Sequence, residues 1–392
     1  MPDAAPLHGL LVADFSRVLA GPYATMMLAD LGATVIKVER PGVGDETRGW
    51  GPPWAGELSS YFVSVNRGKR SVVLDLGSPG GLTEARELAR RADILVENFR
   101  PGFMDAIGLG YDSLAAENSK LVYCSISGFG TSGGAELPGY DFIVQAVGGL
   151  MSITGEASGE PTKTGVALVD VLTGKDAVVG ILAALRELDS TGRGQRVQVA
   201  LLSSLLGSLV NQLSGALSTG HDPARMGNRH PSIAPYETLR CSDGELAVAV
   251  GNDDQFRRLA VALELPGLAD DPRYRRNSDR VANRDELVVA LEIALRKDTA
   301  EAWQHRLGRA RIAAGAVKGV VEAIAFAEEL GLEPTWDPGG GALPQASHPI
   351  RYSHIRPIRS SAPPVLGADT DAVRSWLAEP TSQKIATQEV RS

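Results

Sequence analysis

Leu10 to Phe15 is a short apolar run, Gly21 to Leu31 places its apolar residues at helical spacing, and Ala33 to Val38 is a second apolar run. Two strand-length runs flanking one helix-length run predict a β-α-β unit, and this constrains the chain more than any other feature. The rhythm continues with Ser71 to Leu76 as a strand, Gly80 to Arg91 as a helix and Ile94 to Glu97 as a strand. Tyr111 to Asn118 then reads as a helix and Leu121 to Ser127 as a strand. Alternation of this kind predicts an α/β fold built on a doubly wound parallel sheet.

The β-α-β start invites a dinucleotide reading, with Glu39 near the end of the second strand where a ribose-binding acid would lie. Its first turn, Ser16 to Pro22, lacks the glycine pattern that lets a backbone approach a pyrophosphate, so that reading is set aside. Gly128-Phe129-Gly130-Thr131-Ser132-Gly133 is a formal G-x-G-x-x-G match, but turn residues follow it where a helix would be needed. Thr173-Gly174-Lys175-Asp176 echoes a P-loop only faintly, since Asp176 replaces the hydroxyl residue that would meet a metal ion.

The long segment Arg40 to Arg70 is rich in glycine and proline and carries Arg40, Arg48, Arg67, Lys69 and Arg70; loops of this length in compact domains are commonly functional. Further on, the apolar segment Gly165 to Leu172 delivers Asp170 to a Thr173-Gly174 turn, after which Lys175 to Arg186 has helical spacing. Asp170 is thus expected at a helix entrance, where the unpaired N–H groups and the dipole would hold it as an anion fit to act as base or nucleophile. Aspartate is also a favoured capping residue, so the stretch by itself leaves both readings open.

Arg196 to Ala200 is a further strand, and an apolar helix running to Leu217 closes a first part, residues 1–219. Gly220 to Pro235 is polar and turn-rich and leads into a smaller α+β module, residues 220–330. In it Tyr236 to Val250 reads as a hairpin around Ser242-Asp243-Gly244, followed by helices at Asp254 to Leu263, Arg284 to Leu295 and Thr299 to Arg309. Residues 331–392 form an irregular C-terminal segment with an extended stretch at His348 to His354 and a short helix at Asp369 to Leu377.

Composition excludes several classes of function. The net charge of −8 argues against nucleic acid, whose phosphates need a dense basic surface. The two cysteines, Cys124 and Cys241, cannot build a disulfide framework, which suits a reducing, cytoplasmic setting. No apolar run reaches membrane-spanning length, and the six histidines are scattered without ligand spacing, so neither a membrane nor a metal is expected.

Several motifs together resemble the family III CoA-transferases, the group of formyl-CoA transferase and the carnitine CoA-transferases (the CaiB/BaiF family). They are Ala20 to Tyr23, Leu31 to Pro41, Thr47 to Trp50, Asn66 to Ser71, Glu97 to Gly102, Gly139-Tyr140-Asp141, the Asp170 stretch, Thr191 to Gln195 and Gly227 to Pro231. The resemblance implies a Rossmann-like large domain, completed by the C-terminal segment, a smaller domain, and an interlocked homodimer. It implies CoA transfer from an acyl-CoA donor to a carboxylic acid acceptor, with Asp170 as the nucleophile that forms a covalent intermediate. CoA is then a substrate, and no tightly bound cofactor is required. By the same resemblance, Leu19, Ala20, Arg40, Leu74, Asn98 and Phe99 line the CoA site, and Tyr140 and Asp141 stand beside Asp170.

The chain departs from the formyl-CoA transferase pattern at Gly77, Ala106 and Gly139, where that branch has basic side chains near CoA. It also has Asn228 to Ser232 in place of a glycine run that covers the active site; Gly339 to Gly341 is too far along the chain to replace it. An α-methylacyl-CoA racemase of the same fold is the alternative enzyme, although Tyr140 occupies the place of its catalytic histidine and is a poor base at neutral pH. A catalytically silent acyl-CoA-binding protein is a third reading. A small dicarboxylic acid is the expected acceptor, with Arg229 and His230 either pairing its second carboxylate or serving as ordinary linker residues.

Overall fold

A computed structural model describes residues 5–339, 342–355, 357–358 and 361–380. Residues 340 and 341 of the glycine run and the chain after Pro380 lie outside the described residues. Six parallel strands form the main sheet: β1 (Leu11–Asp14), β2 (Thr34–Glu39), β3 (Lys69–Val73), β4 (Ile94–Glu97), β5 (Val122–Ser127) and β6 (Arg196–Ala200). Their order is β3-β2-β1-β4-β5-β6, so the strand order reverses between β1 and β4. In such sheets the crevice at the reversal, beyond the carboxyl ends of the strands, is where ligands bind.

The central strands β1 and β4 are apolar up to their last residues because both faces of the sheet are covered there. Val12, Val35, Ile94, Val122 and Cys124 face one core, which is completed by helix α1 (Ala20–Asp30) and by a 24-residue helix at Leu168–Thr191. Leu11, Ala13, Ile36, Val72 and Leu95 face the other, together with Ala85, Leu88 and Ala89 of helix α2 (Pro79–Arg91) and Val373 and Trp376 of the helix Thr370–Ala378. Adjacent residues of β1 point to opposite cores, as the two-residue period of a strand requires. Ser71 ties the C-terminal helix to the sheet: its N–H donates to Asp369 Oδ2 at 2.9 Å and its carbonyl accepts from Asp369 N at 3.0 Å.

The described residues fall into two compact units, one within 1–150, 164–219 and 331–392, the other within 151–163 and 220–330. The second unit carries a three-stranded antiparallel sheet in which β7 (Tyr236–Arg240) pairs with β8 (Glu245–Ala249), and β8 with β9 (Ala313–Ala316). Asp243-Gly244 turns the hairpin, with Cys241 N donating to Gly244 O at 2.8 Å. Leu246, Val248, Phe256, Leu291 and Trp303 fill its core.

Three expectations are corrected. Thr173-Gly174 is not a turn; the helix starts at Leu168, runs through both residues and carries Asp170 in its first turn. Glycine is there for proximity, since a Cβ at 174 would lie 2.7 Å from the Ala20 carbonyl oxygen of α1. The apolar helix after β6 is two helices, Leu201–Ser208 and Val210–Thr219, separated where Val210 takes a left-handed φ of 38°. No strand forms across His348 to His354 among the described residues; the local pairing is between Thr335–Trp336 and Gln345–Ala346.

Candidate active site

The loop after β1 is built by buried charges. Asp14 is fully buried and accepts from Lys69 Nζ at 3.0 Å and Thr25 Oγ1 at 2.7 Å. Burial opposes its ionisation most strongly, but Lys69, Lys37 and the Ser16 and Thr25 hydroxyls together hold its carboxyl below the usual range. Lys37, also fully buried, donates to the Ser16 carbonyl at 2.8 Å and pairs with Asp45 at 2.9 Å. Asn98, at the end of β4, accepts from Arg17 N at 2.8 Å and donates to Arg17 O at 2.7 Å. Between these anchors Val18 takes φ 67°, a strained conformation for a β-branched residue.

Two adjoining cavities open at the sheet reversal. The first, of about 510 Å³, is walled by Phe15, Val38, Leu74, Leu76, Phe99 and Phe103, with the half-buried Arg17 and the exposed Arg40 and Arg100 as cations at its wall. The second, of about 480 Å³, is lined by Leu19, Ala20, Asn98, Phe99, Tyr140 and Asp170 among others, and shares Arg17, Phe99 and Arg100 with the first. Every position that the resemblance implied for CoA therefore lies on one or both cavities, with Arg40 and Leu74 on the first only. Asn98 contributes by fixing the Arg17 backbone, since its amide is used at both ends. Gly77 and Ala106 also line the first cavity.

Helix α3 (Asp141–Val147) brings Tyr140 and Asp141 to the start of helix α4 (Leu168–Thr191). Its position depends on two glycines: a Cβ on Gly128 would lie 2.6 Å from Gly139 Cα, and one on Gly139 would lie 2.4 Å from Gly128 Cα. The formal G-x-G-x-x-G thus starts with a glycine that serves a backbone crossing. The same crossing leaves no room for a side chain at position 139.

Asp141 Oδ1 accepts from Val169 N at 2.8 Å and from Asp170 N at 3.2 Å, while its Oδ2 accepts from Gln145 Nε2 at 2.6 Å. It caps α4 from a neighbouring helix, taking the N–H groups that were expected to serve Asp170. Asp170 is only 9% exposed, and burial together with the Asp141 charge pushes its carboxyl up to about 7. The expectation of a carboxylate held as an anion by the helix terminus is therefore corrected: those donors are spent on Asp141. Tyr140 is 56% exposed on the wall of the same cavity.

Sequence reasoning missed Arg17 and the buried base beneath it. Arg17 lies over the Phe99 ring with its guanidinium carbon 4.7 Å from the centroid. Its place in the first strand-to-helix turn was the available signal. In the other unit, Arg229 pairs with Glu237 at 3.3 Å and Asp285 at 2.9 Å, and His230 Nδ1 accepts from Ser232 N at 3.1 Å. The Arg229 charge is thus matched within its own unit, which argues against a free cation waiting for an acceptor.

Residues 7–370 match the model of CoA-transferase family III. A succinate–glutarate CoA-transferase of Agrobacterium fabrum is 49% identical over 289 residues, 72% of each chain. The chain belongs to CoA-transferase family III. A succinyl-CoA:glutarate CoA-transferase of Homo sapiens is 38% identical over 374 residues, covering 94% of this family III enzyme and 85% of the human chain. Among solved structures, a CaiB/BaiF family protein from Brucella suis superposes with a TM-score of 0.86 at 42% identity, covering 95% of this chain and 100% of that one. Membership makes the protein an enzyme that moves CoA between acyl-CoA thioesters and carboxylic acids. Among the described residues no helix is long and apolar enough to cross a membrane, and no cluster of side chains could hold a metal ion.

Proposed function

We propose that the enzyme transfers CoA from a donor acyl-CoA to a small dicarboxylic acid through covalent intermediates on Asp170. One observation carries the assignment: of the carboxylates on the second cavity, Glu136 is exposed, Glu46 is half-buried and both are paired with arginines, whereas Asp170 is buried and no cation offsets its charge. A carboxylate desolvated in this way is a stronger nucleophile once ionised. Asp170 attacks the thioester carbonyl of the donor, forming an acyl-aspartyl anhydride and expelling CoA thiolate. The thiolate then attacks the Asp170 carbonyl, giving an aspartyl-CoA thioester and releasing the donor acid as its carboxylate. The acceptor carboxylate attacks that thioester, again expelling thiolate, and the thiolate takes the new acyl group, restoring the Asp170 carboxylate. Each step exchanges one activated acyl bond for another, so no other reactant is consumed.

The apolar first cavity with its arginines suits the adenosine and phosphates of CoA, with Arg40, Leu74 and Phe99 on its wall, while Leu19 and Ala20 line the second cavity towards Asp170 and Asn98 fixes the Arg17 backbone. Tyr140 and Asp141 flank the nucleophile, Asp141 as its positioning residue. The dicarboxylate reading is supported by the succinate and glutarate in the names of the relatives. With succinyl-CoA as donor, glutarate is expected to be used at least about tenfold better than butyrate in kcat/KM; equal use would remove the dicarboxylate. The homodimer and a cytoplasmic location belong to the same reading. The exposed Val320, Val321 and Leu330 supply apolar surface for a second chain, and Cys124 and Cys241 are both free thiols.

The pH dependence follows from the raised carboxyl. Between 3.8 and about 7 the folded enzyme keeps a proton on Asp170 that the unfolded chain has lost, so ionisation costs stability as the pH rises through that window while the nucleophilic form accumulates. The kcat/KM is expected to rise with pH to a plateau, with a midpoint near 7. Asp141→Asn retains an oxygen for the Val169 and Asp170 N–H groups but removes the charge, so the midpoint should move to lower pH. A midpoint that stays in place in this variant would show that Asp141 does not act on Asp170 through its charge.

A further inference from the structure

At the wall shared by the two cavities, a single carboxylate oxygen stands between two guanidinium groups. Glu46 Oε2 is 3.6 Å from Arg17 NH1 and 3.1 Å from Arg40 NH2. The two arginines follow different strands, Arg17 the end of β1 and Arg40 the end of β2, and neither is fully engaged. Arg17 Nε is buried without a hydrogen-bond partner, its NH1 is beyond hydrogen-bond range of Glu46, and the Arg40 side chain is 51% exposed. Arg40 is held in place by its own Nε, which donates to the Gly44 carbonyl at 3.2 Å, and Arg17 by the face of Phe99. Glu46 rides on a short helical turn, Glu46–Gly49, whose base is fixed by Asp45, so its side chain can swing while its backbone stays.

We infer that Glu46 is a built-in counter-ion, which holds Arg17 and Arg40 at the spacing of an anion seat in the free enzyme and is displaced when a phosphate group of CoA takes that seat. The inference rests on the CoA reading above. A phosphate has more charge and more acceptor oxygens than one carboxylate, and so prevails over Glu46 for both guanidinium groups. Glu46 lowers the affinity for CoA by the strength of the pair that must be broken, which eases release of CoA-bearing product. It acts as an affinity-setting residue, with no part in the bond changes.

Binding of CoA and of pantetheine, which lacks the phosphates, to wild-type enzyme and variants by titration calorimetry tests this. A partly exposed ion pair is worth up to about 1 kcal/mol, so Glu46→Gln is expected to tighten CoA by about fivefold and to leave pantetheine unchanged. Glu46→Asp, too short to reach both arginines, should tighten CoA as well, and provides the test if Glu46→Gln does not fold. Arg17→Gln should weaken CoA and leave pantetheine unchanged. Unchanged or weakened CoA binding in both Glu46 variants overturns the inference, as does an equal gain for pantetheine. Failure of the wild-type enzyme to bind CoA would instead overturn the CoA reading itself.

Discussion

Asp170→Asn is expected to lower CoA transfer by at least about three orders of magnitude while changing CoA affinity by no more than about twofold. The substitution keeps the shape of the side chain, and the helix start that carries it is held by Asp141 from outside, so neither the fold nor the cavities depend on the Asp170 charge. What is lost is the one desolvated anion that faces the second cavity. Because burial is the main reason its carboxyl sits near 7, an amide there should also relieve an ionisation cost and leave the protein slightly more stable at pH 8. Steady-state transfer rates, CoA titration and urea unfolding at that pH separate these effects. A variant that transfers CoA within tenfold of wild type would exclude Asp170 as nucleophile; one that unfolds more readily would mean that Asp170 supports the fold.

Lys37→Met is expected to destabilise the protein by about 3–5 kcal/mol, because it leaves the buried Asp45 carboxylate without its cation and the Ser16 carbonyl without its donor. Methionine nearly matches lysine in length, so lost packing contributes little. The same lysine fixes the loop from Phe15 to Leu19, and CoA affinity should therefore fall in whatever fraction still folds. By comparison, Arg374→Ala, which breaks the exposed pair with Glu84, should cost less than about 1 kcal/mol. Urea unfolding of the two variants decides between a structural base made of buried charge and a set of incidental pairs.

The sheet was legible because its strands are covered on both faces: Leu11, Val12 and Ala13 are all apolar although they face two different cores. The hairpin was legible because Asp243-Gly244 is a local signal. The start of α4 was not. Thr173-Gly174 has turn chemistry, and only the approach of α1, which no residue pattern encodes, explains why a glycine sits inside a helix there. The meeting of Gly128 with Gly139, eleven residues apart, was hidden for the same reason and resembled a nucleotide motif. Asp14, Lys37, Asp45 and Lys69 were visible as charges, but their partners are set by tertiary structure. The elevated carboxyl of Asp170 could not be anticipated either, since it depends on burial by tertiary packing and on the charge of Asp141 brought beside it. The assignment of CoA contacts came from the family resemblance, and the structure adds that those positions meet at one crevice.

The claim that Asp170 is the covalent carrier is tested most directly by peptide mass spectrometry of the enzyme after incubation with succinyl-CoA and no acceptor, followed by hydroxylamine. The expected result is a hydroxamate on Asp170 alone, formed from its thioester or anhydride. A hydroxamate on Asp141, Glu46 or Glu136, or an unmodified Asp170 in an enzyme preparation that transfers CoA once an acceptor is added, would contradict it.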